Sequence, residues 1–173
     1  MAESQEDESL LCVGADVLHT ITPSAGLFVG EDLHERILDA LVVKRRCEVE
    51  GNPRWKQLVV YAVVRVGSRF LEYKRPLDRG DPRLRGKYSL GVGGHANVDD
   101  TVANVDCRQM LEAAVCREFE EETGIQLGAH HSGRFLAYVQ DEAEPVDKDH
   151  LGSIWLVDLE GLRPSSVASA EIT

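Results

Sequence analysis

The stretch Arg117–Ile125, REFEEETGI, places four glutamates within nine residues, three of them consecutive at Glu120–Glu122. Like charges this close repel, so the direction each one points decides what it can do. With Glu118 at zero and about 100° per residue, Glu122 falls at about 40° and Glu121 at about −60°. Leu111, Ala114 and Val115 share that arc. The apolar stripe that opens the helix therefore runs into Glu118, Glu121 and Glu122, while Glu120 points to solvent. Three carboxylates on a core-facing stripe are costly unless they protonate or surround a positive charge. Hard oxygen donors gathered this way suit Mg²⁺ or Mn²⁺. Arg117 lies four residues before Glu121 and can pair with it, holding a ligand carboxylate in place. The competing reading is a solvated acidic helix. The phase of the stripe, the Arg117 pair and a glycine stop at Gly124 argue against it.

Upstream, Tyr88–Val92 reads as a short strand ending in Gly93-Gly94. Paired glycines let a backbone approach a phosphate or a metal closely. His95 follows directly and titrates near neutral pH, which makes it a candidate general acid or base. Arg83, Arg85 and Lys87 can reach substrate phosphates from the preceding loop, against the alternative of a solvated basic loop. The acidic segment Asp141–Asp149 offers Asp141, Glu142, Glu144, Asp147 and Asp149 as bases outside the helix, with His150 equally open. A solvated loop is the competing reading there. Trp155 lies within an apolar strand and is expected in the core. His130-His131 has no cysteine nearby and gives no metal site.

The elements that must position these residues follow from periodicity. Leu10–Leu18 is apolar enough for a strand, and Glu31–Val43 has helical spacing. Lys56–Val66 is rich in β-branched residues; Gly67-Ser68 is a two-residue hairpin turn, and Arg69–Lys74 returns. Pro76–Lys87 is a charged loop and residues 95–106 are irregular. Gln109–Thr123 is the strongest helix, with Gly124 placed to end it. Arg134–Val139 and Leu151–Leu159 are further strands. Helices and strands mix without strict alternation, which favours an α+β fold over a doubly wound sheet. Residues 1–9 read as a disordered acidic tail and 10–173 as one domain.

The 173 residues are 43% hydrophobic and 28% charged, enough for one domain with a real core. The net charge of −11 excludes a broad basic surface for bulk nucleic acid. A small phosphorylated ligand held through a metal stays compatible with it. Cys12, Cys47, Cys107 and Cys116 match no zinc module and read as reduced thiols of a cytoplasmic protein. No apolar run reaches membrane-spanning length, and the N-terminus lacks the features of a signal peptide.

At Arg117–Ile125 the chain resembles the Nudix hydrolases, whose signature is G-x5-E-x7-R-E-U-x-E-E-x-G-U with U apolar. The second half is complete here, and the resemblance covers roughly residues 56–160. The first half departs: residues 95–116 separate Gly94 from Arg117, where the signature has 13 residues. Counted back from Arg117, the first signature glutamate falls on Gln109; counted forward from Gly94, on Asp100. Asp100 or Asp106 stands as its substitute. GKYSLGVGGHANVDD and the HLG at 150–152 are similar to a Nudix subgroup of predicted phosphoesterases with GGHIN in place of the shorter loop.

The resemblance implies a mixed sheet sandwiched between helices and Mg²⁺- or Mn²⁺-dependent hydrolysis of a nucleoside diphosphate derivative. It implies Glu118, Glu121 and Glu122 as metal ligands, the Gly94 carbonyl as a further one, and Arg117 as the orienting residue. Homodimers are common in the family. The alternatives are a silent nucleotide-binding module and, further off, an isoprenoid diphosphate isomerase. GLRPSSVASAEIT is too short for the further strand and closing helix expected after the last strand. The chain is therefore expected either to be truncated or to cap its sheet differently.

Overall fold

Trp55–Val66 is twelve residues of mostly β-branched and aromatic side chains, and it forms the long central strand around which everything else is arranged. The computed structural model describes residues 8–22, 25–74, 77, 85–98, 106–125, 133–141 and 147–159. In chain order the elements are β1 (Ser9–Gly14), α1 (Ala15–Ile21), β2 (Gly26–Phe28), α2 (Glu31–Ala40), β3 (Leu41–Arg45), α3 (Arg46–Val49) and β4 (Trp55–Val66). Then follow β5 (Arg69–Phe70), β6 (Tyr73–Lys74), β7 (Tyr88–Ser89), β8 (Gly91–His95), α4 (Cys107–Thr123), β9 (Arg134–Gln140) and β10 (His150–Asp158).

β4 pairs in parallel with β10 along one edge. Along its other edge it pairs antiparallel with β1 and then with β8, which lie end to end. With β9, β2, β3 and β5 this makes one mixed sheet of eight strands among the described residues; β6 and β7 form a separate ribbon. Successive residues of β4 alternate between faces. Leu58, Val60, Ala62 and Val64 are at most 1% exposed and meet Leu111, Val115 and Phe119 of α4 and Ile37 of α2 in the main core. Each of these side chains larger than alanine contributes about 1.5–3 kcal/mol. The opposite face carries a smaller cluster of Leu10, Cys12 and Val49, with Trp55 against it, beneath α3.

The α+β class and mixed sheet between helices agree with the sequence expectation. Four boundaries differ. The first strand stops at Gly14, and Ala15–Ile21 turns helical, its Leu18 buried in the core. The helix from Glu31 stops at Ala40, and Leu41–Arg45 pairs as a strand with β1. Leu41 satisfies both periods, so spacing alone could not end the helix. The return after the Gly67 turn divides, with Tyr73–Lys74 leaving the main sheet. Glu8 and Ser9, assigned to the tail, are ordered: Ser9 opens β1 and Glu8 pairs with Arg46 at 2.9 Å. Residues 1–7 and 160–173 lie outside the described residues. All four cysteines are free thiols.

α4 is set by its ends. Asp106 accepts a hydrogen bond from the Gln109 amide at 2.8 Å, the usual N-cap contact. Gly124 adopts φ 70°, and its amide reaches the Glu120 carbonyl, the left-handed C-terminal stop. Arg108 ties α4 to α2 through Glu31 at 3.1 Å and through Glu35.

Candidate functional site

Gly94 and Glu118 touch. A Cβ built on Gly94 would lie 2.5 Å from one carboxylate oxygen of Glu118 and 2.6 Å from the other. Only glycine leaves that room, so the second glycine of the pair is a cradle for a carboxylate. Neither glycine ends the strand, as had been expected. Gly93 and Gly94 lie inside β8, paired with Tyr61 and Val60. Glycine carries no side-chain signal for a strand, which is why the pair reads from sequence as a terminus.

Arg117 is the joint. Its guanidinium lies 2.9 Å from Glu118 Oε1 and 3.1 Å from Glu121 Oε2, and it donates to the His95 carbonyl at 2.9 Å. One side chain thus aligns two carboxylates and pins α4 to β8. The pair with Glu121 is the one the i,i+4 spacing predicted. Burial raises the Glu118 carboxyl above its ordinary range; Arg117 pulls it down, and Glu121 and Glu122 push it up. A half-compensated buried carboxylate is a group that a cation would relieve.

The three glutamates are not equally inward. Glu118 is 9% exposed, but Glu121 and Glu122 are exposed. The buried stripe swings toward Phe119 and Thr123 over the last turns, carrying Glu121 off the core face and leaving Glu122 open. Among the described residues no three His, Cys, Asp or Glu side chains form a ready group for a metal. The donor set still fits Mg²⁺ or Mn²⁺: one fixed buried carboxylate, two exposed ones within a turn of it, and a glycine that leaves space beside them.

His95 does not join this group. Residues on a strand alternate, and Gly94 faces Glu118, so the His95 side chain projects from the other face of the sheet. There its Nε2 lies 3.3 Å from Nε2 of His150. Burial, with His150 and Arg46 nearby, pushes the His95 imidazole down to about 4. Its contribution to the carboxylate site is its backbone carbonyl. The strand runs through His95 rather than stopping before it, which is what the sequence reading missed.

Arg85 and Lys87 are exposed just before β7; Arg83 lies outside the described residues. Asp106 is occupied as the helix cap, and Asp100 is outside the described residues, as are Glu142, Glu144 and His130-His131. Asp141 is exposed past the end of β9. Trp155 is 1% exposed and packs edge-on to Phe135, a core residue as expected.

Compared with known proteins, the chain matches no protein-family model. Protein YmaB of Bacillus subtilis strain 168 is 32% identical over 115 residues, 66% of this chain and 55% of that protein. The chain thus spans about half the length of the curated relative it matches. The crystal structure of Tm1382, described as a candidate Nudix hydrolase, superposes with a TM-score of 0.70 at 21% identity, over 96% of this chain and 84% of that one. The MutT protein of Methanosarcina mazei Go1 gives a TM-score of 0.42 at 22% identity, over 68% and 70%. The fold is that of the Nudix hydrolases, and no helix among the described residues is long and apolar enough to cross a membrane.

Proposed function

Proceeding from a chain with the Nudix fold, we propose that it is a Mg²⁺- or Mn²⁺-dependent hydrolase cleaving a diphosphate linkage in a nucleoside diphosphate derivative. The observation that carries the reading is the Gly94–Glu118–Arg117–Glu121 arrangement, which joins the two halves of the signature across an enlarged loop. Glu118, fixed under Gly94, is the anchoring ligand. Glu121 and Glu122 are the ligands that swing in, and the Gly94 carbonyl is a further donor. Arg117 holds Glu118 and Glu121 at a set separation and prevents their mutual repulsion from splaying the last turns of α4. Arg85 and Lys87 meet the substrate phosphates from the loop. The metal, when bound, neutralises phosphate charge and lowers the pKa of the attacking water.

The exposed, unassembled state of Glu121 and Glu122 favours a second reading, a module that binds nucleotides without turning them over. A screen of product release over nucleotides and sugar nucleotides with Mg²⁺ or Mn²⁺ separates the two. Turnover by the wild type that chelator and Glu121→Gln abolish supports the enzyme. Metal and nucleotide binding with no turnover on any compound replaces it with the binding module. The free thiols favour a reducing, cytoplasmic setting, and the partner is a small phosphorylated molecule.

A further inference from the structure

We propose that His95 and His150 form a second cation site, suited to a divalent transition ion of the zinc class, on the sheet face opposite Glu118. His95 stands opposite Val59 on one side of β4, and His150 stands opposite Gln57 on the other. Their imidazoles reach toward each other over the central strand and bring the two Nε2 atoms to 3.3 Å. The two rings share a hydrogen bond at the long end of the range, one Nε2–H donating to the other Nε2. Two nitrogens bound about 2.05 Å from one tetrahedral zinc lie about 3.3 Å apart. The spacing thus also suits two ligands of one ion, which takes the place of the shared proton.

Two further observations point the same way. Gln57, 1% exposed and in register with His150, has a buried Oε1 with no hydrogen-bond partner. Asn97, two residues beyond His95 and bridged to Leu10, has a buried Oδ1 in the same condition. Orphaned acceptors of this kind cost about 1–3 kcal/mol each. Water carried by a bound ion supplies the donors they lack, or Gln57 Oε1 itself completes the shell. The charges acting on His95 beyond its partner are Arg46, Glu8 and Glu50. Arg46 is already paired with both carboxylates, at 2.9 and 3.1 Å, so the surroundings are net acidic. Imidazole donors select zinc-class ions, whereas the carboxylates across the sheet select Mg²⁺ or Mn²⁺.

The test is titration of the full chain with Co²⁺, as a spectroscopic stand-in for zinc, in excess Mg²⁺ to occupy the carboxylate side. The expected result is one equivalent bound with the visible absorption of a tetrahedral nitrogen site. It is unchanged in Glu118→Gln and at least about tenfold weaker in His150→Gln and His95→Gln. In the unmodified chain, the imidazole ¹⁵N resonances of both histidines should shift together on adding Zn²⁺, a readout independent of whether a variant folds. Absence of Co²⁺ absorption in the wild type overturns the proposal. So does absorption that survives His150→Gln but is lost in Glu118→Gln, or histidine resonances that Zn²⁺ leaves in place.

Discussion

The two faces of the sheet behind β8 solve opposite electrostatic problems with adjacent residues. Beneath Gly94, a buried carboxylate is kept in place by an arginine, and charge is held against charge. Above it, the imidazoles of His95 and His150 meet beside the amides of Gln57 and Asn97. One strand position separates them, and pleating alone assigns each to its face. The carboxylate side holds a buried charge that Arg117 only partly offsets; the imidazole side holds unpaired amide oxygens instead. These two groups of side chains are thus divided by a strand's alternation rather than by distance along the sequence.

The largest effect that would break this comparison is at the carboxylates. Glu118→Gln and Glu121→Gln are each expected to lower kcat by about 10²–10³-fold, measured on whichever compound the screen identifies, while His95→Gln is expected to leave kcat within about threefold. An equal loss at His95 would erase the distinction between the faces. Arg117→Ala is expected to follow, with about 10–100-fold loss, partly restored in Arg117→Lys, because a lysine keeps the charge but cannot bridge Glu118, Glu121 and the His95 carbonyl together. Smaller still is the cap: Asp106→Ala should cost about 1 kcal/mol, read as a shift in the urea midpoint with unchanged slope and with kcat retained.

The smallest effect is a pH dependence on the α4 side of the sheet, under α2 and apart from the carboxylates. His34 of α2 is buried, stacks on Phe135 at 3.9 Å and lies 3.0 Å from the Tyr138 hydroxyl. Burial holds its imidazole below the ordinary value of 6.5, with Arg108 adding to the effect. The folded chain therefore binds fewer protons at His34 than the unfolded chain does. Stability is full above pH 6.5 and falls as pH drops through the window beneath it. Chemical denaturation between pH 7 and 5 should show this decline together with that of His95, and His34→Phe should make it shallower. A slope unchanged by the substitution would remove His34 from the account.

Much of this was legible in local pattern. α4 announced itself by its stripe, the Arg117–Glu121 spacing and Gly124, and each is a short-range signal within one element. β4 and the Gly67 turn were equally plain, because β-branched runs and tight turns are also local. What was hidden is what depends on partners far along the chain. The boundary at Leu41 is fixed by pairing with Val13 of β1, not by its own neighbours. Gly93-Gly94 looked like an ending because glycine cannot advertise pairing with β4. The meeting of His95 with His150 depends on both β8 and β10 flanking one strand, which no window of sequence contains. Glu121 and Glu122 were placed inward by extending the helix phase, but the core they would have faced turns toward Phe119 and Thr123.

The most direct measurement is the thermal midpoint of wild type and Glu118→Gln, each with chelator and with saturating Mn²⁺. Glu118 is raised by burial, so its stabilising contribution is present below its unfolded value and is lost as pH rises through the folded one. In its ionised form, Glu118 is therefore a destabilising charge in the metal-free wild type. Removing that charge should raise the metal-free midpoint of Glu118→Gln, and Mn²⁺ should stabilise the wild type, by about 2.7 kcal/mol at a hundred times its Kd, far more than the variant. Equal Mn²⁺ shifts in the two proteins, or a variant less stable than wild type in chelator, would contradict the claim that Glu118 is a buried carboxylate held ready for a metal.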